Sequence, residues 1–172
     1  MSAILPSMPE IIVIAHNIRS THNVGAIFRT AEGFGISKII LTGYTPYPRL
    51  SKDSRLPHIA EKLTKQISKT ALGAEAIVPF EHQEQPPLNE LKVDGYRIVA
   101  LEQAFNSIPM SSYVPPEKIV LLLGEEVEGI TPELLAECED IIEIPMVGEK
   151  ESFNVSVAAG IALYALTTHA TT

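Results

Sequence analysis

Five consecutive apolar residues, Ile119-Val120-Leu121-Leu122-Leu123, run straight into the glycine turn Gly124-Glu125-Glu126-Val127-Glu128-Gly129. A short, continuous aliphatic run is the pattern of a strand buried on both faces, as in a parallel sheet covered by helices. The turn is followed by a helix start, with Thr131 as N-cap, Pro132 at the first helical position and Glu133 in the first turn. A second strand follows at Ile141-Ile142-Glu143-Ile144-Pro145, then a tight loop over 146–151. Ser152-Phe153-Asn154-Val155-Ser156-Val157 then opens a long apolar helix. A glycine turn after a buried strand is where open α/β sheets bind nucleotide-like ligands.

The turn has neither the Gly-Lys-Ser/Thr ending of a phosphate loop nor the Gly-x-Gly-x-x-Gly of a dinucleotide site. Its three carboxylates, Glu125, Glu126 and Glu128, would repel a pyrophosphate. A neutral or cationic ligand of adenosine-like bulk suits it better. S-adenosylmethionine, a sulfonium without phosphate, meets that description, as do other ligands.

The residues Leu-Leu-Gly-Glu-Glu-Val-Glu-Gly at 122–129, Ile144-Pro145-Met146 and Ser152-Phe153-Asn154-Val155-Ser156-Val157-Ala158 resemble the second and third motifs of the SPOUT superfamily. The similar branch is SpoU (TrmH-like), the RNA ribose 2′-O-methyltransferases. Asn23-Val24-Gly25-Ala26-Ile27-Phe28-Arg29-Thr30-Ala31 resembles the first motif. The three motifs lie in order over nearly the whole chain. The resemblance implies S-adenosylmethionine as cofactor, tRNA or rRNA as partner, a homodimer, and a deep trefoil knot near the C-terminus. It places Asn23, Arg29, Glu126, Ser152 and Asn154 in the catalytic site. Gly124, Ile144, Phe153, Leu101 and Met146 would cradle the cofactor. Arg29 would act at the target ribose, as base or as charge stabiliser. Glu126 would face the active site and pair with Arg29 or favour the sulfonium, while Glu125 and Glu128 would be solvated. In dimers of this family the first motif of one chain lies near the other two motifs of its partner.

Along the chain, apolar strand runs at 11–15, 38–42, 76–80, 96–101 and 119–123 alternate with helical stretches. This gives a three-layer α/β domain with a mostly parallel sheet. The expected organisation is one domain over 10–168 with tails at 1–9 and 169–172. Asn23 is placed as cap of the first helix, with Ile27, Ala31 and Phe34 as its inward stripe. Pro79 assigns its strand to a sheet edge. The 43–58 connection is long, and 106–116 is a Ser- and Pro-rich loop. His22 falls in the loop before the first helix. The last helix, 155–166, is apolar nearly all round and belongs in the core or between subunits.

The net charge of −8 opposes RNA binding until it is divided. Residues 1–70 hold nine Lys/Arg and four Asp/Glu, net +5; residues 71–172 hold four and seventeen, net −13. Arg49, Lys52, Arg55, Lys62, Lys65 and Lys69, together with Arg19, form the expected RNA-contacting set. The single cysteine, Cys138, excludes a disulfide framework and fits a reducing, cytoplasmic compartment. The histidines have no metal spacing, so no metal is expected. The apolar stretch near the C-terminus is too short for a membrane span. Two other readings stay open: a nucleotide-binding α/β enzyme of another class, and a non-catalytic RNA-binding dimer on the same scaffold.

Overall fold

The structure is a computed structural model and describes residues 8–168. Seven strands form one sheet: β1 (Glu10–His16), β2 (Lys38–Thr42), β3 (Phe80–Gln83), β4 (Arg97–Leu101), β5 (Ile108–Pro109), β6 (Lys118–Leu123) and β7 (Asp140–Glu143). Their order across the sheet is β3-β2-β1-β6-β4-β7-β5, and every pairing is parallel. Five helices complete it: α1 (Thr21–Gly33), α2 (Pro57–Ala71), α3 (Leu88–Val93), α4 (Pro132–Ala136) and α5 (Val155–Thr168).

The period-two side-chain alternation of a strand sorts the core into two layers. Ile11, Val13 and Ala15 of β1 face one way, with Leu121 and Leu123 of β6, and pack under α1, α2 and α5. Ile12 and Ile14 face the other way, with Val120 and Leu122, and pack under Leu88 and Leu91 of α3 and Leu134 and Leu135 of α4. The expected three-layer architecture is therefore observed. β1 and β6 pair side by side at the centre, from Glu10↔Lys118 to Ala15↔Leu123. Their C-terminal ends point the connecting loops to one edge of the sheet.

Several local expectations are corrected. The strand placed at 76–80 lies at Phe80–Gln83; Ala74–Ala76 is a single 3₁₀ turn. Pro79 lacks an N–H, so it precedes the ladder and offers only its carbonyl, to the Ile39 N–H at 2.9 Å. β3 is nonetheless an edge strand, as that proline implies. The Ser/Pro-rich 106–116 loop contains β5, two residues long and too brief to show as a pattern. β7 ends at Glu143, so Ile144 and Pro145 belong to the following loop.

The N-cap of α1 is Ser20, whose Oγ accepts the Asn23 N–H at 3.3 Å; Asn23 itself is a helix residue. His22 is likewise in the first turn of α1 rather than in a loop. Ile27 and Ala31 are buried as expected, and Phe34 is the half-buried C-cap. The last helix buries one side only, through Ala159, Ala162, Leu163, Leu166 and Thr167. Apart from Met8 and Pro9, the expected tails lie outside the described residues. Among the described residues no helix is long and apolar enough to cross a membrane.

Candidate active site

The loops after β4, β6 and β7 enclose a cleft of about 380 Å³ at the C-terminal edge of the sheet. This volume is in the range of small-molecule sites. Leu101, Gly124, Glu126, Ile144, Ser152, Phe153 and Asn154 all line it. The cleft thus gathers residues that lie more than fifty positions apart in the chain.

The glycine turn is held in shape by its own backbone. Glu125 N–H donates to the Gly129 carbonyl at 3.2 Å, and Gly129 N–H returns a bond to the Glu125 carbonyl at 3.0 Å. A Cβ at Gly124 would stand 2.5 Å from the Gly129 carbonyl carbon, so only glycine fits there. Gly129 has φ +69°, and a Cβ on it would collide with the Glu102 carboxylate. Glu102 accepts the Ile130 N–H at 3.0 Å and so fastens the far side of the turn to the end of β4. Glu102 was not anticipated; its signal was a carboxylate immediately after the end of a buried strand.

Glu125 is buried, contrary to the expectation that it is solvated. One oxygen accepts the Val127 N–H at 2.9 Å, and the other pairs with the Arg19 guanidinium at 2.6 Å. The Tyr44 hydroxyl and then the Glu125 carboxylate raise the pKa of Arg19 above its ordinary value. Glu128 is exposed, as expected.

Glu126 is the hub. Its carboxylate accepts the backbone N–H groups of Arg19 at 2.9 Å and Ser20 at 3.1 Å, and the Asn23 side-chain amide at 2.9 Å. Asn23 Oδ1 in turn accepts the Asn154 amide at 3.1 Å. Asn154 Oδ1 caps α5 by accepting the Ser156 N–H at 2.9 Å, and it also accepts the Ser156 hydroxyl at 2.7 Å. The three motifs are therefore joined within one chain by a continuous polar relay, Glu126–Asn23–Asn154–Ser156. Asn23 also fixes the amide orientation of Asn154, because its nitrogen donates to Glu126 and its oxygen must accept.

Burial by itself would raise the pKa of Glu126, but the Arg19, Asn23 and Ser20 donors outweigh it and hold the pKa below the ordinary carboxylate value. A depressed carboxylate stabilises the fold above its unfolded pKa, and that contribution disappears as pH falls through the lower folded value. The gap in Tm between wild type and Glu126→Gln should be constant from pH 8 to about 5 and close below about 4.5. Thermal unfolding across that range checks it.

Arg29 is exposed on α1 and lies outside the cleft wall. It is six residues past Asn23, about 9 Å further along the helix axis. Among the described residues it makes no hydrogen bond or ion pair, and Glu126 bonds Asn23 instead of it. Ser152 is exposed in the cleft wall, and Met146 is half-buried outside it.

Of the basic set, Arg19 is paired with Glu125 and Arg49 with Glu61. Arg55 is half-buried, gripped by Asp53 and by the carbonyls of Tyr47 and Pro48, so its role in the structure is to shape the 47–55 loop. Lys62, Lys65 and Lys69 form an exposed stripe on α2 at i, i+3 and i+7, and Lys52 is exposed near its start. None of these four is ion-paired among the described residues. No group of three or more His, Cys, Asp or Glu among the described residues is placed to hold a metal ion.

A parallel α/β sheet with a carboxylate-lined glycine turn at its C-terminal edge places this cleft where open α/β folds bind nucleotide-like ligands. Residues 10–164 match the model of the SpoU rRNA Methylase family, and the chain belongs to that family. It is 32% identical over 157 residues to the tRNA (guanosine(18)-2′-O)-methyltransferase of Aquifex aeolicus, covering 90% of this chain and 67% of that protein. It is 30% identical to the 23S rRNA (guanosine-2′-O-)-methyltransferase RlmB of Neisseria meningitidis, covering 91% of this chain and 58% of that one. The AdoMet-bound rRNA methyltransferase of Sinorhizobium meliloti superposes with a TM-score of 0.78 at 26% identity, over 96% of this chain and 59% of that chain. The match to the mouse tRNA (guanosine(18)-2′-O)-methyltransferase TARBP1 spans only 10% of that protein. This chain thus accounts for part of the length of such relatives.

Proposed function

We infer that this chain is an S-adenosylmethionine-dependent RNA methyltransferase that modifies a ribose 2′-hydroxyl of tRNA or rRNA. The observation that carries this reading is the relay Glu126–Asn23–Asn154, which draws all three motifs to the rim of one cleft. The cleft fits the cofactor: carboxylates replace the cations a phosphate would need, and Phe153, 40% exposed, offers an uncovered ring to an adenine. Bound S-adenosylmethionine supplies an electrophilic methyl group on a sulfonium. Gly124, Leu101, Ile144 and Phe153 hold the nucleoside, and Ser152 and Asn154 order the cofactor and the target ribose. A guanidinium keeps its proton, with a pKa above 12, so Arg29 serves by orienting the hydroxyl and stabilising charge on its oxygen.

Arg29 does not line its own chain's cleft, so the reading includes a homodimer in which Arg29 serves the cleft of the other copy. Support comes from α5: Val157, Ile161 and Tyr164 lie at i, i+4 and i+7 and leave an apolar stripe in solvent, beside α1. The knot belongs to the same proposal, with the 144–154 loop tied to the β4–β5 loop by the Gln103 amide donating to the Glu151 carbonyl at 2.9 Å. The setting proposed is the cytoplasm. Incubation of the chain with S-adenosylmethionine carrying a radioactive methyl and with tRNA or rRNA should give labelled RNA; absence of transfer to either would reject the reading.

The unpaired lysines of α2 are proposed to contact RNA phosphates. Replacing Lys62, Lys65 and Lys69 together by alanine should flatten the dependence of log affinity on log salt by about 2, since each single-strand phosphate contact contributes about 0.7. Filter binding at several salt concentrations checks this.

A further inference from the structure

A second cleft, of about 570 Å³, opens beside the first, at the C-terminal ends of β1, β2 and β3. The two share a wall. Arg19 and Ser20 line the second cleft, while their N–H groups donate to Glu126 of the first.

The second cleft has a rigid side. Tyr47 stacks on His82, with centroids 4.0 Å apart and planes 20° from parallel, and the Arg55 guanidinium covers its other face at 3.5 Å. Both faces of Tyr47 are therefore occupied, and this column is a wall rather than a platform. Tyr44 is different. It is 57% exposed. Gln66 and Thr21 complete the lining with an amide and a hydroxyl, neither of which makes a hydrogen bond among the described residues.

The cations at this cleft are already matched, Arg19 by Glu125 and Arg55 by Asp53. That suits an uncharged ring better than a phosphate. The unmatched cations, Lys62, Lys65 and Lys69, stand on the neighbouring face of α2, which also supplies Gln66 to the cleft. An exposed aromatic face, an amide with donors and an acceptor, and lysines just outside form the set by which single-stranded RNA is held.

We propose that this second cleft receives an unpaired nucleobase of the RNA, flanking the nucleotide whose ribose is methylated, stacked on Tyr44 and hydrogen-bonded by Gln66. The proposal rests on the RNA-methylation reading of the first cleft, and its test separates the two.

The probes are fluorescein-labelled hexaribonucleotides of A, C, G and U, titrated with the full chain and followed by anisotropy. Tyr44→Ala should weaken binding by about 5- to 150-fold, the range for loss of one stacked base. Tyr44→Phe should restore it to within about twofold, since stacking needs the ring and not the hydroxyl. Gln66→Ala should change the ranking of the four bases. The salt dependence should be unchanged in Tyr44→Ala, because no phosphate contact is lost. Calorimetric affinity for S-adenosylmethionine should match wild type in all three variants. The proposal is overturned if no hexamer binds, if Tyr44→Ala binds as wild type does, or if its loss is matched by Tyr44→Phe. If hexamers bind through Tyr44 but wild type does not bind S-adenosylmethionine, the cleft assignment stands and the methyl-transfer reading fails.

Discussion

Arg29→Ala should lower methyl transfer by at least about 100-fold, the scale for losing one group that stabilises charge in a transition state. Affinity for S-adenosylmethionine should stay within about twofold of wild type. The loss of turnover follows from the proposed service of Arg29 to the other copy's cleft, and the unchanged affinity follows from its position. Its side chain is exposed, lies outside its own chain's cleft and has no hydrogen bond or ion pair among the described residues. Surface substitutions without partners change stability by about 0.5 kcal/mol or less, so the Tm should not move. Turnover with radioactive methyl donor and calorimetry on the same preparation separate the two quantities. The proposed dimer adds a sharper form of the test. Co-expression of Arg29→Ala with Gly124→Ala chains should recover about a quarter of wild-type activity, because half of the dimers would pair one intact Arg29 with one intact cleft. If Arg29 served its own cleft, the mixture would stay inactive.

Gly124→Ala should abolish cofactor binding at concentrations that saturate wild type. The new Cβ would lie 2.5 Å from the Gly129 carbonyl carbon and 2.7 Å from its oxygen. Both are backbone atoms in a closed pair of hydrogen bonds, so neither can yield as a side-chain tip would. The turn must open, which releases the main-chain shape that the cleft depends on. Overpacking of this kind costs about 1–3 kcal/mol. For a chain of this size the Tm should fall by about 2–4 °C per kcal/mol. Calorimetry and thermal unfolding check the prediction together; a variant that binds normally would remove the glycine turn from the cofactor site.

The sheet was legible because its central strands are unbroken aliphatic runs, and because Thr131-Pro132 and Gly33/Gly35 punctuate the helices in known ways. The ends of the sheet were not: β5 is two residues long, and β3 starts after a proline in a segment whose most apolar part, 76–79, is not strand. Within the site, the motif residues Asn23, Glu126 and Asn154 were nameable in advance, but their mutual bonding was not. A relay between residues 103 and 131 positions apart has no local signature. The cap of α1 lies three residues before Asn23, at Ser20; serine and asparagine are equally good caps, and only the backbone decides between them. The burial of Glu125 has no local signature either. Its burial depends on Arg19, over a hundred residues away, and on the N–H groups of the turn itself. The basic set was legible as composition only; the structure separates Arg19, Arg49 and Arg55, which have carboxylate partners, from the exposed lysines of α2.

The most direct test is the position of the transferred methyl. RNA incubated with the chain and with S-adenosylmethionine carrying a trideuterated methyl group should be digested to nucleosides and resolved by mass spectrometry. The label should sit on the ribose of one nucleotide, and the linkage on its 3′ side should resist alkaline cleavage, which needs a free 2′-hydroxyl. A label on the base, with the ribose unmodified, would contradict ribose methylation by this cleft.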